Sequence, residues 1–134
     1  MTDLDGAQVA LATYFAPWVQ QLGLRVQAVA LGEVVLTLPI TPALVHHAGV
    51  LCGQASMAAA DTATVLAIAA DLGGFRPMTT VQFQSSFLRP ISGSEATVTA
   101  RVLRRGKSLV FGEIEIAGSD GRLAVHATTT YALL

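Results

Sequence analysis

Residues 53–72, GQASMAAADTATVLAIAADL, constrain this chain more than any other stretch, because they form a nearly unbroken run of helix formers. Alanine occupies positions 55, 58, 59, 60, 63, 67, 69 and 70. The predicted helix is therefore thin and apolar on every side, as suits a helix wrapped by other structure rather than laid on a surface. Asp61 is the only ionisable side chain in the run before Asp71. On a helical wheel it shares a face with Gln54, Met57, Ala58, Thr64, Val65 and Ile68, so its carboxylate is predicted to look into packed protein. Asp is a poor mid-helix residue, and a buried carboxylate is costly unless it has partners, which makes Asp61 the first candidate for function. A membrane-spanning reading fails, since Asp61 and Gln54 would sit in hydrocarbon and the flanking segments read as strands.

The 134 residues suffice for one domain, 1–134, with a core of its own. Charged residues make up 13% of the chain, against about a quarter in ordinary soluble domains, while 52% is hydrophobic. That balance predicts self-association, as a homodimer or homotetramer. A net charge of −1 argues against nucleic acid as a partner, and no membrane is expected. The lone Cys52 forbids an internal disulfide, and Asp3 and Asp5 stand where a leader would carry positive charge, so a cytoplasmic protein is expected. His46, His47 and Cys52 match no zinc spacing, and no metal is expected.

Along the chain, Ala7 to Leu22 reads as a first helix with Val9, Leu11, Tyr14, Phe15 and Trp18 as its apolar contacts, kinked or broken at Pro17. Leu24 to Ala30 and Val34 to Ile40 read as a hairpin, followed by a loop over Thr41 to Leu51. After the central helix, strands are predicted over Thr79 to Leu88, Glu95 to Arg104, Val110 to Ile116 and Leu123 to Leu133, with turns at Arg105-Gly106-Lys107 and Asp120-Gly121. On the last strand Leu123, Val125, Ala127, Thr129 and Tyr131 share one side. The order implies an α+β fold, an antiparallel β-sheet with one face wrapped on a buried helix. Its edges invite pairing with a second copy.

Three segments carry a resemblance. His46 through Asp61 is similar to an N-x-x-G-x-x-H-G-G stretch followed by a helix Asp, with Gly49, Gly53 and Asp61 in register. Thr79-Thr80 to Arg89-Pro90 is the second, and Leu103-Arg104-Arg105-Gly106-Lys107-Ser108 the third. Together they resemble the PaaI-like group of hotdog-fold acyl-CoA thioesterases over nearly the whole chain. The resemblance implies that Asp61 is the catalytic carboxylate, as general base on water or as nucleophile. It implies a hydroxyl role for Thr80, and a site shared between two chains in which Asp61 and Thr80 face the Gly53 N–H of the other. Gly53 opens the central helix, where free N–H groups and the helix dipole suit an oxyanion.

This chain departs from the pattern: His46 stands where Asn is usual, Cys52 where His is usual and Gln54 where a second Gly is usual. His46 can donate a hydrogen bond as Asn does, and it titrates near neutral pH. Arg104, Arg105 and Lys107 form the basic cluster, with Arg89 and Arg101 in sequence reach. By the resemblance Arg89, Arg104, Arg105 and Lys107, with Gly106 and Ser108, meet coenzyme A, which belongs to the substrate, so that no separate cofactor is implied. Met57, Val65, Ile68 and Phe83 would line an acyl pocket for a small aromatic or medium-chain group. Two other readings share the fold: a 3-hydroxyacyl dehydratase pairing His46 with Asp61, and a non-catalytic acyl-CoA-binding protein.

Overall fold

The chain, described over residues 3–134 by a computed structural model, lays six strands and one long helix into two layers. In order they are α1 (Leu4–Thr13), α2 (Pro17–Gln20), β1 (Arg25–Ala30), β2 (Glu33–Pro39), α3 (Gly53–Leu72), β3 (Met78–Phe87), β4 (Glu95–Arg105), β5 (Leu109–Ala117) and β6 (Leu123–Leu133). The strands form one antiparallel sheet in the order β1-β2-β4-β5-β6-β3. The period-two pattern decides which face is inside. Val34, Leu36 and Leu38 of β2, Ala96, Val98 and Ala100 of β4, Ile114 and Ile116 of β5, and Val125 and Ala127 of β6 are buried together against α3.

The alanines let this contact close. Ala59, Ala60, Ala63 and Ala69 are fully buried, and a Cβ on Gly112 of β5 would meet Thr64 Cγ2 of α3 at 3.5 Å and Thr129 Cγ2 at 3.3 Å. Helix and sheet are in van der Waals contact there, so extra methylenes have nowhere to go. Ala63→Leu is expected to destabilise the fold by about 1–3 kcal/mol, the usual cost of overpacking, read as a lower urea midpoint at unchanged slope. The buried threonines of α3 are satisfied locally: Thr62 and Thr64 donate to the carbonyls of Ala58 and Ala60, at 2.7 and 2.9 Å. Gly73, at φ 81°, closes α3 in the left-handed region.

One expectation is decided and one needs correction. The first helix is broken at Pro17 into two, and it starts earlier and ends sooner than Ala7 to Leu22. Asp3 caps α1 by accepting from the Gly6 N–H at 2.7 Å, and Pro17 begins α2, where its missing N–H costs nothing. Of the apolar contacts expected there, Leu11 is buried, with Ala7 and Ala10, whereas Val9, Tyr14 and Trp18 are 64, 52 and 60% exposed. Nor is α3 covered all round. Its sheet-facing residues are buried, but Gln54 and Met57 are exposed and Ala58, Asp61 and Val65 half-buried along one stripe. By length and hydropathy α3 could cross a membrane, yet 72% of its most apolar window is buried inside the fold, as a core helix should be.

β3 is an edge strand, paired with β6 on one side only. Most of its residues are exposed, among them Val81 at 60% and Phe87 at 51%. A ten-residue edge left open is a surface for strand pairing.

Candidate active site

Asp61 is met by side chains from two strands. The β3–β6 register sets Thr80 opposite Tyr131, both pointing to the helix side, with a bulge after Thr80 that re-aims the strand. Thr80 Oγ1 donates to Asp61, 3.1 Å from Oδ1 and 3.4 Å from Oδ2. The Tyr131 hydroxyl donates to Oδ1 in a short hydrogen bond and lies 3.3 Å from the Asp61 carbonyl. Tyr131 is almost wholly buried. Burial, and then the bond to Asp61, push its phenol far above the ordinary range, so it stays a donor at any physiological pH. Thus the half-buried carboxylate is charge-compatible and partnered, as the buried-charge argument demands.

Asp61 and Tyr131 stand on the wall of a cavity of about 430 Å³ along the uncovered stripe of α3, lined also by Phe15, Trp18, Met57, Val65 and Phe83. A second cavity, about 270 Å³, shares Asp61 and Tyr131 and extends past Thr80 to Tyr14 and Phe75, whose rings stack 3.8 Å apart. An apolar cavity with a few convergent polar groups is the usual form of a small-molecule site. Met57, Val65 and Phe83 are where the sequence led us to expect them; Ile68 is not, being buried behind Asp61 against Val110, Tyr131 and Leu133.

Gly53 opens α3, and no side chain caps it. Its φ is not in the left-handed region, and a Cβ there would meet only the Phe87 ring, at an ordinary 3.5 Å. Nothing within the chain requires glycine at this place. Eight residues of helix separate Gly53 from Asp61, about 12 Å at 1.5 Å per residue, too far for both to act on one carbonyl. His46 lies on an exposed loop, where its Nδ1 accepts from the Ala48 N–H at 3.1 Å, and it lines neither cavity.

The basic residues fall into separate places. Arg104 and Lys107 stand exposed on the β4–β5 turn with no ionic partner among the described residues, while Arg105 pairs with Asp71 at 3.2 Å. Gly106 closes the turn through its N–H to the Leu109 carbonyl, and the Ser108 carbonyl accepts from Leu133. Arg101 is not part of this group. It is held on the outer sheet face by Glu33, Glu113 and Glu115, where Glu113, hydrogen-bonded first to His126 and then to Arg101, is kept below the usual carboxylate range. Arg89 follows β3 at the opposite end of the sheet, its N–H on the Ala124 carbonyl and its Nε without a partner among the described residues. The length of β5, about 30 Å at 3.4 Å per residue, separates the two ends.

Tyr131 is the site residue that the sequence does not single out. Its inward-facing position on the last strand is legible there, as is the need of a buried tyrosine hydroxyl for a partner; the packing of β6 on α3 that supplies Asp61 is not.

Residues 47–125, more than half of the chain, match the thioesterase superfamily. A Saccharolobus solfataricus protein whose name provisionally calls it an esterase is 29% identical over 103 residues, 77% of this chain and 73% of its own. Among solved structures, a conserved Pseudomonas aeruginosa protein, PA5202, is 26% identical with a TM-score of 0.82, covering 90% of this chain and 95% of that one. The Escherichia coli PaaI protein of the phenylacetic acid degradation operon superposes with a TM-score of 0.84 at 19% identity, covering 98% and 95%, which is a likeness of fold.

Proposed function

Since the chain belongs to the thioesterase superfamily and has the PaaI-like hotdog fold, we propose that it is a cytoplasmic acyl-CoA thioesterase acting on small aromatic or medium-chain acyl groups. The observation that carries this reading is Asp61, held by Thr80 and Tyr131 on the wall of an apolar cavity. Phe15, Trp18, Met57 and Phe83 suit an aromatic ring or a short alkyl chain. Asp61 takes a proton from water as the water attacks the thioester carbonyl and returns it to the sulfur as the tetrahedral oxyanion collapses, so that coenzyme A leaves as its thiol and the acyl group as its acid; or Asp61 attacks the carbonyl itself, and water then hydrolyses the mixed anhydride so formed. No separate cofactor takes part.

The active unit in this proposal is a homodimer, built by antiparallel pairing of the open β3 edge with its copy. A two-fold centred between Phe83 and Gln84 sets Thr80 opposite the partner's Phe87, the ring beside which Gly53 lies. The partner's Gly53 N–H then faces Asp61 and serves as the oxyanion donor. The same pairing brings Arg89 of one chain to the sheet end that holds the other chain's Arg104 and Lys107, so cations separated within one chain gather around one nucleotide.

A thiol-release assay over a panel of acyl-CoAs tests the reading. Turnover of arylacyl or medium-chain thioesters is expected, and hydration of enoyl-CoA without thiol release would overturn it in favour of a dehydratase. Replacing both Arg104 and Lys107 with Ala is expected to raise KM for the acyl-CoA about tenfold or more while leaving an acylated pantetheine, which lacks the nucleotide phosphates, nearly unaffected. Equal effects on the two substrates would remove these residues from nucleotide binding.

A further inference from the structure

We infer that Tyr131 is a positioning residue for hydrolysis, fixing Asp61 by its Oδ1 so that Oδ2 is the oxygen that works on water or substrate. This rests on the thioesterase reading above. The two oxygens of Asp61 are not equivalent. Oδ1 takes the Tyr131 hydroxyl and the nearer Thr80 contact, whereas Oδ2 keeps only the longer Thr80 contact at 3.4 Å. A carboxylate with one oxygen doubly engaged cannot turn about its terminal bond without breaking both bonds. Three elements impose this arrangement: α3 carries Asp61, and the paired Thr80 and Tyr131 of β3 and β6 approach it from the sheet.

Tyr131 is suited to hold rather than to react. It is buried among Ile68, Val110 and Leu133, and its raised pKa keeps the proton on the phenol. Among the described residues its hydroxyl has no other acceptor than Asp61, by side chain and by backbone. Removing the hydroxyl leaves the ring's packing in place and frees the carboxylate to rotate, which costs alignment in the transition state and not binding of the nucleotide.

Tyr131→Phe is therefore expected to lower kcat about 10- to 100-fold, the scale of one charge-assisted hydrogen bond, with KM for acyl-CoA and the melting temperature nearly unchanged. A residue that merely supports the fold would lower stability and leave the split between kcat and KM unmoved. The double variant Tyr131→Phe with Asp61→Asn should be no slower than Asp61→Asn alone, since the clamp has then nothing to position. A readout independent of turnover accompanies the kinetics: a protected downfield hydroxyl proton in the NMR spectrum that disappears in Tyr131→Phe and shifts in Asp61→Asn. Full kcat in Tyr131→Phe beside a crippled Asp61→Asn overturns the positioning role and leaves the thioesterase reading standing. If Asp61→Asn is itself fully active, that reading fails instead, and the absence of the resonance in the native protein would sink the clamp as well.

Discussion

Asp61→Asn is expected to lower kcat for thioester hydrolysis by roughly 10²–10⁴, the range for losing a general base, with KM for acyl-CoA little changed. The amide keeps the shape of the carboxylate and still accepts from Tyr131 and Thr80, whose hydroxyls now surround Oδ1. It can neither take a proton from water nor attack a carbonyl. Because the side chain stands on the cavity wall and not in the packed contact with the sheet, the variant should fold and melt within a few degrees of the native protein. His46→Ala supplies the control: on its exposed loop, outside both cavities, it should cost less than Asp61→Asn. Near-full hydrolysis by Asp61→Asn would dismiss α3 as the source of the reacting group.

The second large effect is a recovery. Gly53→Val should be inactive, because its side chain stands where the thioester oxygen must approach the helix end, while the chain itself tolerates a Cβ at that place. Mixing this inactive variant with inactive Asp61→Asn, then dissociating and refolding them together, should restore activity to about a quarter of native by random pairing of two chains. Each mixed dimer holds one site with both defects and one with neither, since Asp61 and Gly53 of a single chain are about 12 Å apart and serve different sites. No recovery, with mixed dimers demonstrated by sedimentation and mass, would place each complete site within one chain.

The central helix was legible in sequence because its composition permits no other use, and the strands because their alternation survives in burial with little shift at the ends. Asp61 stood out for the same reason, as the one charge in the apolar run before Asp71. What could not be read was anything set by order in the sheet. β3 pairs with β6, not with its sequence neighbour β4, and that pairing sets Thr80 beside Tyr131 at Asp61 and carries Arg89 away from the β4–β5 turn. Charges posed a related difficulty. Arg101 lies close in sequence to Arg104, yet the period-two rule turns it to the outer face, where three carboxylates claim it. The first helix divides because Pro17 starts a new helix more readily than it continues an old one.

The position of β3 at the sheet's end, beyond β6, has a consequence for how the chain comes into being. β3 leaves the ribosome well before β6, and two other strands are made in between. Until β6 arrives, β3 lacks the one strand it pairs with, and Thr80 has no tyrosine facing it. The carboxylate clamp is thus among the last features to assemble, through contacts far apart in sequence, which are the slow ones to form. During that interval a long strand bearing Val81, Phe83 and Phe87 is open on both edges, a state in which nascent chains are prone to aggregate. The demand on chaperones should accordingly fall on this one strand, and loss of the final residues of β6 should silence the chemistry before it unfolds the core.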